Sequence, residues 1–124
     1  MQTRSQLMAQ KAFSSLNNKK ISREYRSFAK KFPSLVHSCG LAQAIAFGQA
    51  KGENEYLSHL AEILTGLGHH EVQDALSLGA RSRELDVSGY ILLSRDAIQS
   101  ADWLKRYVEA LYPEQDSFDM ESEG

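Results

Sequence analysis

The sequence predicts an all-α protein, folded as one compact single-domain bundle of five to seven helices. Apolar residues recur at intervals of three and four along most of the chain, which places them on single helix faces. No sustained run of alternating Val, Ile and Thr with turn pairs indicates a sheet. A length of 124 residues with 42% hydrophobic content is ordinary for one domain that folds around its own core.

Apolar spacing predicts the first two helices. Apolar residues between Met8 and Leu16 share one face, and Asn17-Asn18 then ends the pattern. The second helix follows Ser22, a good N-cap, and its apolar face carries residues at i, i+3, i+4 and i+7: Tyr25, Phe28, Ala29 and Phe32. We expect Pro33 to end this helix and to open the next one, because proline disfavours the helical conformation of the residue before it.

Three further helices are predicted in the middle of the chain. Residues 34–51 are rich in Ala and apolar on most sides, which is typical of a central helix; Gly40 is the candidate point of interruption. Apolar residues between Tyr56 and Leu67 predict a fourth helix, ended by glycines. A short fifth helix is predicted over residues 69–79.

The last helix has the clearest pattern. Ser94 is expected as its N-cap, with Asp96 in the first turn, where a negative charge is favourable to the helix dipole. The apolar stripe that follows is Ala97, Ala101, Leu104, Val108 and Leu111, widened by Trp103 and Tyr107. We expect Trp103, Leu104, Val108 and Leu111 to lie in the core, and Lys105 and Arg106 to be accessible. The short run Tyr90-Ile91-Leu92-Leu93 is interpreted as a helical turn.

Charge is distributed unevenly along the chain. Residues 1–31 contain eight Lys and Arg against one Glu, a net charge of +7, whereas the residues from Pro113 onward carry five acidic groups and no base, a net charge of −5. The helical pattern ends near Tyr112, so we expect a helical domain over residues 1–112 and an acidic, disordered tail over 113–124. The basic end indicates a surface that faces a polyanion.

Catalytic and metal motifs are incomplete. His69-His70-Glu71-Val72-Gln73-Asp74 resembles the HExxH zinc motif, but position 74 is Asp where the second ligand should be His. Cys39 is interpreted as a structural thiol, and His59 as a surface residue. We therefore expect no catalytic residue, no metal and no cofactor.

We expect a cytoplasmic protein that does not enter a membrane. The uncharged stretch over residues 32–50 has the length of a spanning helix, but its Ser, Gln, His, Ala and Gly content does not favour insertion. The polar N-terminus lacks the pattern of a signal peptide, and a single cysteine suits a reducing compartment.

The second predicted helix has an apolar and a basic face. At about 100° per residue, the aromatic residues group on one side and three basic residues, here called the basic strip, group opposite them: Arg23, Arg26 and Lys30. Lys19 and Lys20 precede this strip and Lys31 lies at its margin. Because the aromatic residues are committed to the core, the strip suits a phosphate backbone and not base-specific recognition. An acidic protein is the alternative partner.

Two blocks of sequence resemble a known family. The first is Tyr25-Arg26-Ser27-Phe28-Ala29-Lys30-Lys31-Phe32-Pro33, followed by Leu35, Val36, Gly40-Leu41, Ala46-Phe47 and Lys51. The second is Tyr90, Leu92, Arg95, Ala97, Trp103-Leu104-Lys105-Arg106-Tyr107 and Glu109-Ala110-Leu111. Together they resemble the small subunit of type III-B CRISPR effector complexes, the short helical protein of the Cmr RNA-silencing module. Residues 53–88 carry no recognised motif, and Cys39 stands where a polar residue such as Asn is expected.

The resemblance implies an all-helical subunit without a catalytic site. It implies that copies stack as a short filament beside the guide-binding backbone subunits and help to hold target RNA against the guide. The implied partners are the backbone and large subunits, copies of the chain itself and the target–guide RNA duplex. The candidate RNA-binding residues are Lys19, Lys20, Arg23, Arg26, Lys30, Lys31, Lys51, Lys105 and Arg106.

Two alternative functions differ in class. A stand-alone regulator of the helix-turn-helix type would use Arg23 and Arg26 at the start of a recognition helix. Against it, the helix that follows is almost wholly apolar and offers nothing to cross a DNA backbone. A small enzyme with its site at residues 69–74 is the weaker alternative, because the metal motif there is incomplete.

Overall fold

The computed structural model describes residues 1–113, which form six helices and no strand. The helices are α1 (Arg4–Leu16), α2 (Arg23–Cys39), α3 (Leu41–Ala50), α4 (Asn54–Gly66), α5 (Ala75–Glu84) and α6 (Val87–Leu111). The predicted all-α class and the number of helices are confirmed. The predicted tail, apart from Pro113, lies outside the described residues.

The 25-residue helix α6 is the element against which α1, α2 and α4 all pack. Its buried face carries apolar residues at helical spacing: Leu93, Ala97, Ala101, Leu104 and Val108. α1 runs parallel to it, since Arg4 at the start of α1 contacts Asp96 of α6, and Phe13 contacts Tyr107 further along both helices. At the end of α6, the Tyr112 hydroxyl donates to the carbonyl oxygen of Leu16 over 2.8 Å.

α2 continues through Pro33 and ends at Cys39, so the prediction that Pro33 ends it was wrong. A proline inside a helix removes one backbone hydrogen bond and costs about 3 kcal/mol. Here Pro33 itself is buried, and the apolar face of α2 continues to the buried Val36. This burial offsets the cost, and the break comes instead at Gly40.

Gly40 separates α2 from α3 by a single residue. Its φ of +86° lies in the region that side chains rarely adopt, and its N–H still donates to the carbonyl of Val36 over 2.8 Å. A Cβ at this position would lie 3.3 Å from the Tyr90 hydroxyl of α6. Gly40 therefore both turns the chain and allows α6 to approach it closely.

The starts of α5 and α6 also differ from prediction. α6 begins at Val87, where the Asp86 carboxylate accepts from the Gly89 N–H over 2.9 Å, so Ser94 is not the N-cap. Asp96 lies well inside the helix and is buried, not in its first turn. α5 begins only at Ala75 and extends to Glu84, so the prediction of a helix over residues 69–79 was wrong at both ends. The run from Tyr90 to Leu93 is helical, as predicted.

An aromatic cluster determines how α2 is rotated. Tyr25, Phe28 and Phe32 of α2 surround Tyr56 of α4, with ring centroids between 5.2 and 5.5 Å from that of Tyr56. All four side chains are at most 2% exposed. With this face of α2 enclosed, Arg23 of the basic strip is exposed, whereas Arg26 and Lys30 are half-buried.

No helix among the described residues combines the length and the apolar character needed to cross a membrane.

Replacing Leu104 with alanine should destabilise the fold. Leu104 is fully buried on α6, so we expect a loss of about 2–5 kcal/mol in the free energy of unfolding. Chemical denaturation measures this loss. The exposed neighbour Arg106 is the control, since Arg106→Ala should change stability by no more than about 0.5 kcal/mol. Equal stability of the two variants would contradict the placement of Leu104 in the core.

Candidate nucleic-acid interface

The nine predicted RNA-binding residues are all at least partly accessible. Six are exposed: Lys19, Lys20, Arg23, Lys31, Lys51 and Arg106. Three are half-buried: Arg26, Lys30 and Lys105. Their accessibility is compatible with contact to a nucleic acid, and their role in that contact stays a prediction.

Three of these residues surround one cavity. A cavity of about 360 Å³ is lined by Arg23 and Lys31 of α2 and by Lys51, just after α3, and Phe28 also contributes to its lining. Lys51 is distant from the other two in sequence, and the packing of α3 on α2 brings it to them. The fold thus concentrates positive charge that the sequence distributes over two helices.

Two carboxylates share this cavity. Glu24 and Glu53 lie in its wall among the basic groups. Partial burial raises the pKa of Glu53, and the neighbouring Glu24 carboxylate raises it further, whereas Lys31 opposes the shift. The cavity is therefore mixed in charge. Its lysine and arginine side chains can pair with an anion, and its carboxylates can accept hydrogen bonds.

An exposed aromatic side chain lies beside the same cations. Phe47 of α3 is 37% exposed, and its ring centroid lies 5.2 Å from Lys31 Nζ and 5.5 Å from Lys51 Nζ. Sequence reasoning considered the aromatic residues of α2 and missed this one. The available signal was the spacing of Phe47 and Lys51, since side chains four residues apart share a helix face.

The loop that precedes α2 is held at several points. Lys19 and Lys20 follow Asn18, whose φ is +61°, and the carbonyl of Lys19 accepts a hydrogen bond from the Tyr112 hydroxyl. One guanidinium nitrogen of Arg26 donates to the carbonyl of Ile21 over 3.4 Å. The Ser22 hydroxyl accepts from the Tyr25 N–H over 3.0 Å, as expected of an N-cap. These bonds join the basic loop to the first turn of α2.

Arg106 belongs to a different part of the surface. It lines a cavity of about 450 Å³ with Ser5 and Met8 of α1 and with Trp103 of its own helix. Neither Arg106 nor Lys105 lines the cavity of Arg23, Lys31 and Lys51. The structure therefore divides the predicted basic residues between two regions.

The segment 69–74 has structural contacts. His69 Nε2 lies 2.7 Å from a carboxylate oxygen of the buried Asp96, and the Arg4 guanidinium donates to the same oxygen over 2.7 Å. Asp74 caps α5, and the hydrogen bond from the Ser77 N–H lowers the pKa of its carboxyl group. Within residues 1–113, no three His, Cys, Asp or Glu side chains are placed to hold a metal ion together.

His59 is half-buried, so its interpretation as a surface residue was wrong. Its Nδ1 lies 2.6 Å from the hydroxyl of Tyr25. Burial lowers the pKa of His59 and raises the pKa of Tyr25, because both charged forms lose hydration in this position. The neutral imidazole accepts a hydrogen bond from the Tyr25 hydroxyl, which connects α4 to the first turn of α2.

Acidification should destabilise the protein through His59. Its pKa is lower in the folded state than its ordinary value of 6.5, so the unfolded chain binds the proton more readily. The stability contributed by the neutral imidazole is complete above about pH 6.5 and is lost as the pH falls through the lowered pKa. Denaturation between pH 7.5 and pH 5 measures this loss. His59→Gln should weaken the pH dependence, whereas the same change at the exposed His70 should leave it intact; equal profiles for the two variants would contradict the assignment.

Comparison with known proteins identifies relatives along nearly the whole chain. Residues 1–111 match the family described as CRISPR-associated protein (Cas_Cmr5). The chain is 33% identical over 117 residues to the CRISPR system Cmr subunit Cmr5 of Thermus thermophilus, covering 92% of this chain and 100% of that protein. Its fold is similar to the crystal structure of a CRISPR-associated Cmr5 family protein from Thermus thermophilus. That match has a TM-score of 0.79 and 35% identity, and it covers 89% of this chain and 98% of the other. These matches confirm the resemblance carried by the two sequence blocks.

Proposed function

Because the chain belongs to the CRISPR-associated Cmr5 family and is a small subunit of a Cmr complex, we propose that it is non-catalytic and contacts target RNA through phosphates. In this proposal copies of the chain stack as a filament along the guide-binding backbone subunits of a type III-B complex in the cytoplasm. Target RNA, held beside the guide, passes over the basic residues of α2 and the residues next to them.

The observation that carries the RNA contact is the cavity that gathers Arg23, Lys31 and Lys51. Three cationic side chains from two segments meet on one outward face, and the reverse of α2 is enclosed by the aromatic cluster. Lysine and arginine on a rigid support can neutralise phosphates without distinguishing bases. Such a surface suits a subunit that must accept any target sequence.

The polar groups that resemble a catalytic site are used for structure, which supports a non-catalytic role. His69 and Arg4 both bind the Asp96 carboxylate, and Asp74 is engaged as a helix cap. A general base or metal ligand needs a group that can reach a substrate. The carboxylate of Asp96 is instead buried between α1, α6 and the turn after α4.

Exposed apolar residues at the start of α6 support a protein partner. Val87 and Ile91 lie one helical turn apart and are 75% and 60% exposed, and Leu92 is 49% exposed. Adjacent exposed apolar side chains on a small protein are typical of interaction sites. In the proposed assembly this surface contacts a neighbouring copy or a backbone subunit.

The helix-turn-helix alternative receives no support from the geometry. That motif joins two helices by a turn of three or four residues. α2 and α3 are separated by Gly40 alone, and α3 carries no Lys or Arg between Leu41 and Ala50. α1, the helix that precedes α2, is separated from it by six residues, 17–22, which is longer than the turn of that motif.

Reversing exposed charges near the start of α2 should weaken target binding by the assembled complex. In the double variant Lys20→Glu, Arg23→Glu we expect lower affinity for target RNA. The slope of log affinity against log salt concentration should become less steep by about 1.4, because each phosphate contact to a single strand contributes about 0.7 to that slope. Filter binding over a range of salt concentrations measures both quantities. Purification of the complex shows whether the variant is incorporated.

The matched control is Arg83→Glu, Arg95→Glu, which makes the same change in net charge at two exposed residues of α5 and α6. Because Arg95 lies one helical turn after Ile91, incorporation of the control is checked by the same purification; the incorporated control should bind target RNA with the wild-type salt dependence. Normal assembly of the Lys20, Arg23 variant with unchanged affinity and slope would contradict the proposed RNA contact. Failure of that variant to assemble would assign the two charges to a protein neighbour.

A further inference from the structure

Phe47 differs from the other exposed phenylalanine among the described residues. Phe13 and Phe47 are both 37% exposed. The ring of Phe13 packs edge-on against Tyr107, with centroids 5.5 Å apart. The ring of Phe47 lies nearly parallel to that of the buried Phe28, with 9° between the planes and 6.4 Å between the centroids, and two lysine ammonium groups lie over it.

The backbone around Phe47 is fixed by close packing. The next residue, Gly48, lies directly against the Phe28 ring, where an added Cβ would come within 2.9 Å of the ring and 3.2 Å of Leu57. Because α3 is pressed against α2 and α4 at this point, the position of the Phe47 ring is set by the core. The groups that cover its outer side are the flexible side chains of Lys31 and Lys51.

We propose that Phe47, Lys31 and Lys51 form a binding site for one unpaired base of single-stranded RNA. The base stacks on the Phe47 ring, and the two ammonium groups move from the ring to the phosphates on either side of that nucleotide. This inference rests on the proposed function, since it names the residues that would hold a part of the target strand that is not paired with the guide.

Replacement of the two ammonium groups on the Phe47 ring by a stacked base is favourable on general grounds. A base stacked on an aromatic ring contributes more to binding than an exposed ammonium group over the same ring. A displaced ammonium group is not lost, because it forms a charge-assisted bond with phosphate instead. Each of the three side chains therefore gains a stronger partner when the strand binds.

The adjoining cavity sets the orientation of the nucleotide. Lys31 and Lys51 belong both to the Phe47 site and to the cavity of about 360 Å³, whose wall also contains Glu24 and Glu53. Carboxylates repel phosphate but accept hydrogen bonds from the amino groups of bases. The base therefore points toward the carboxylates, and the sugar–phosphate backbone stays at the outer edge with the lysines. Stacking tolerates every base, so the site requires no particular sequence.

The test compares a normal RNA strand with one that lacks bases. The full-length chain is titrated with a 12-nucleotide oligoadenylate and with an abasic oligomer of the same length and charge. We expect the wild type to bind oligoadenylate about fivefold or more tightly than the abasic strand. Phe47→Leu should abolish this preference, and Phe47→Trp should retain it. Phe13→Leu is the matched control of equal exposure and should behave as the wild type.

Charge variants separate stacking from electrostatic attraction. Lys31→Glu, Lys51→Glu should weaken binding of both strands, because phosphates remain in the abasic oligomer. A preference for oligoadenylate that survives in Phe47→Leu would overturn the inference, as would the absence of oligoadenylate binding at millimolar wild-type protein. The inference would also be overturned by a Phe47→Leu chain that binds both RNA strands as the wild type does but fails to enter the complex. The ring would then belong to a protein interface. The proposed function is tested separately by the Lys20 and Arg23 variant, which leaves Phe47 unchanged.

Discussion

Burial of the aromatic face of α2 is the constraint on which the rest of the structure depends. Tyr25, Phe28 and Phe32 can all reach Tyr56 in only one rotation of α2, and large aromatic side chains contribute more buried area than most residues. This rotation leaves Arg23 of the basic strip exposed, with Arg26 and Lys30 half-buried beside it. It also brings Phe28 against Gly48, which fixes α3 and places Phe47 at the edge of the cluster.

Polar contacts then hold α1, α6 and the segments that follow α1 and α4 together around this core. The buried Asp96 carboxylate binds Arg4 at the start of α1 and His69 in the turn after α4, so one side chain joins three parts of the fold. A buried charge is costly unless it is paired, and two partners provide that compensation. At the C-terminal end of α6, the Tyr112 hydroxyl binds the carbonyl groups of Leu16 and Lys19 and holds the basic loop in place.

The surface features suit a subunit that supports RNA without recognising its sequence. Cations from α2 and from the end of α3 surround one cavity, and an aromatic ring lies within reach of two of them. Phosphates and the faces of bases are common to every sequence, so both kinds of contact are general. The exposed apolar residues at the start of α6 offer a different chemistry, suited to protein contact.

Spacing and residue type were sufficient to predict features that depend on neighbours within one or two helical turns. The all-α class, the Ser22 cap, the opposed faces of α2 and the interruption at Gly40 are of this kind, and the two family blocks identified the relatives. The opposite faces of α2 follow from helix geometry alone, which is why the outward direction of Arg23 could be predicted.

Contacts between distant residues decided the rest. Local rules place a helix end at Pro33, but burial of Pro33 and Val36 keeps α2 intact beyond it. Ser94 is as suitable a cap as Asp86, but the turns before Ser94 are held by distant contacts, because the Tyr90 hydroxyl accepts from the Ala42 N–H and Leu93 is buried. The meeting of Lys31 with Phe47 and Lys51 required α3 to fold back against α2, because side chains 16 residues apart or more have no common helix face to reveal their proximity.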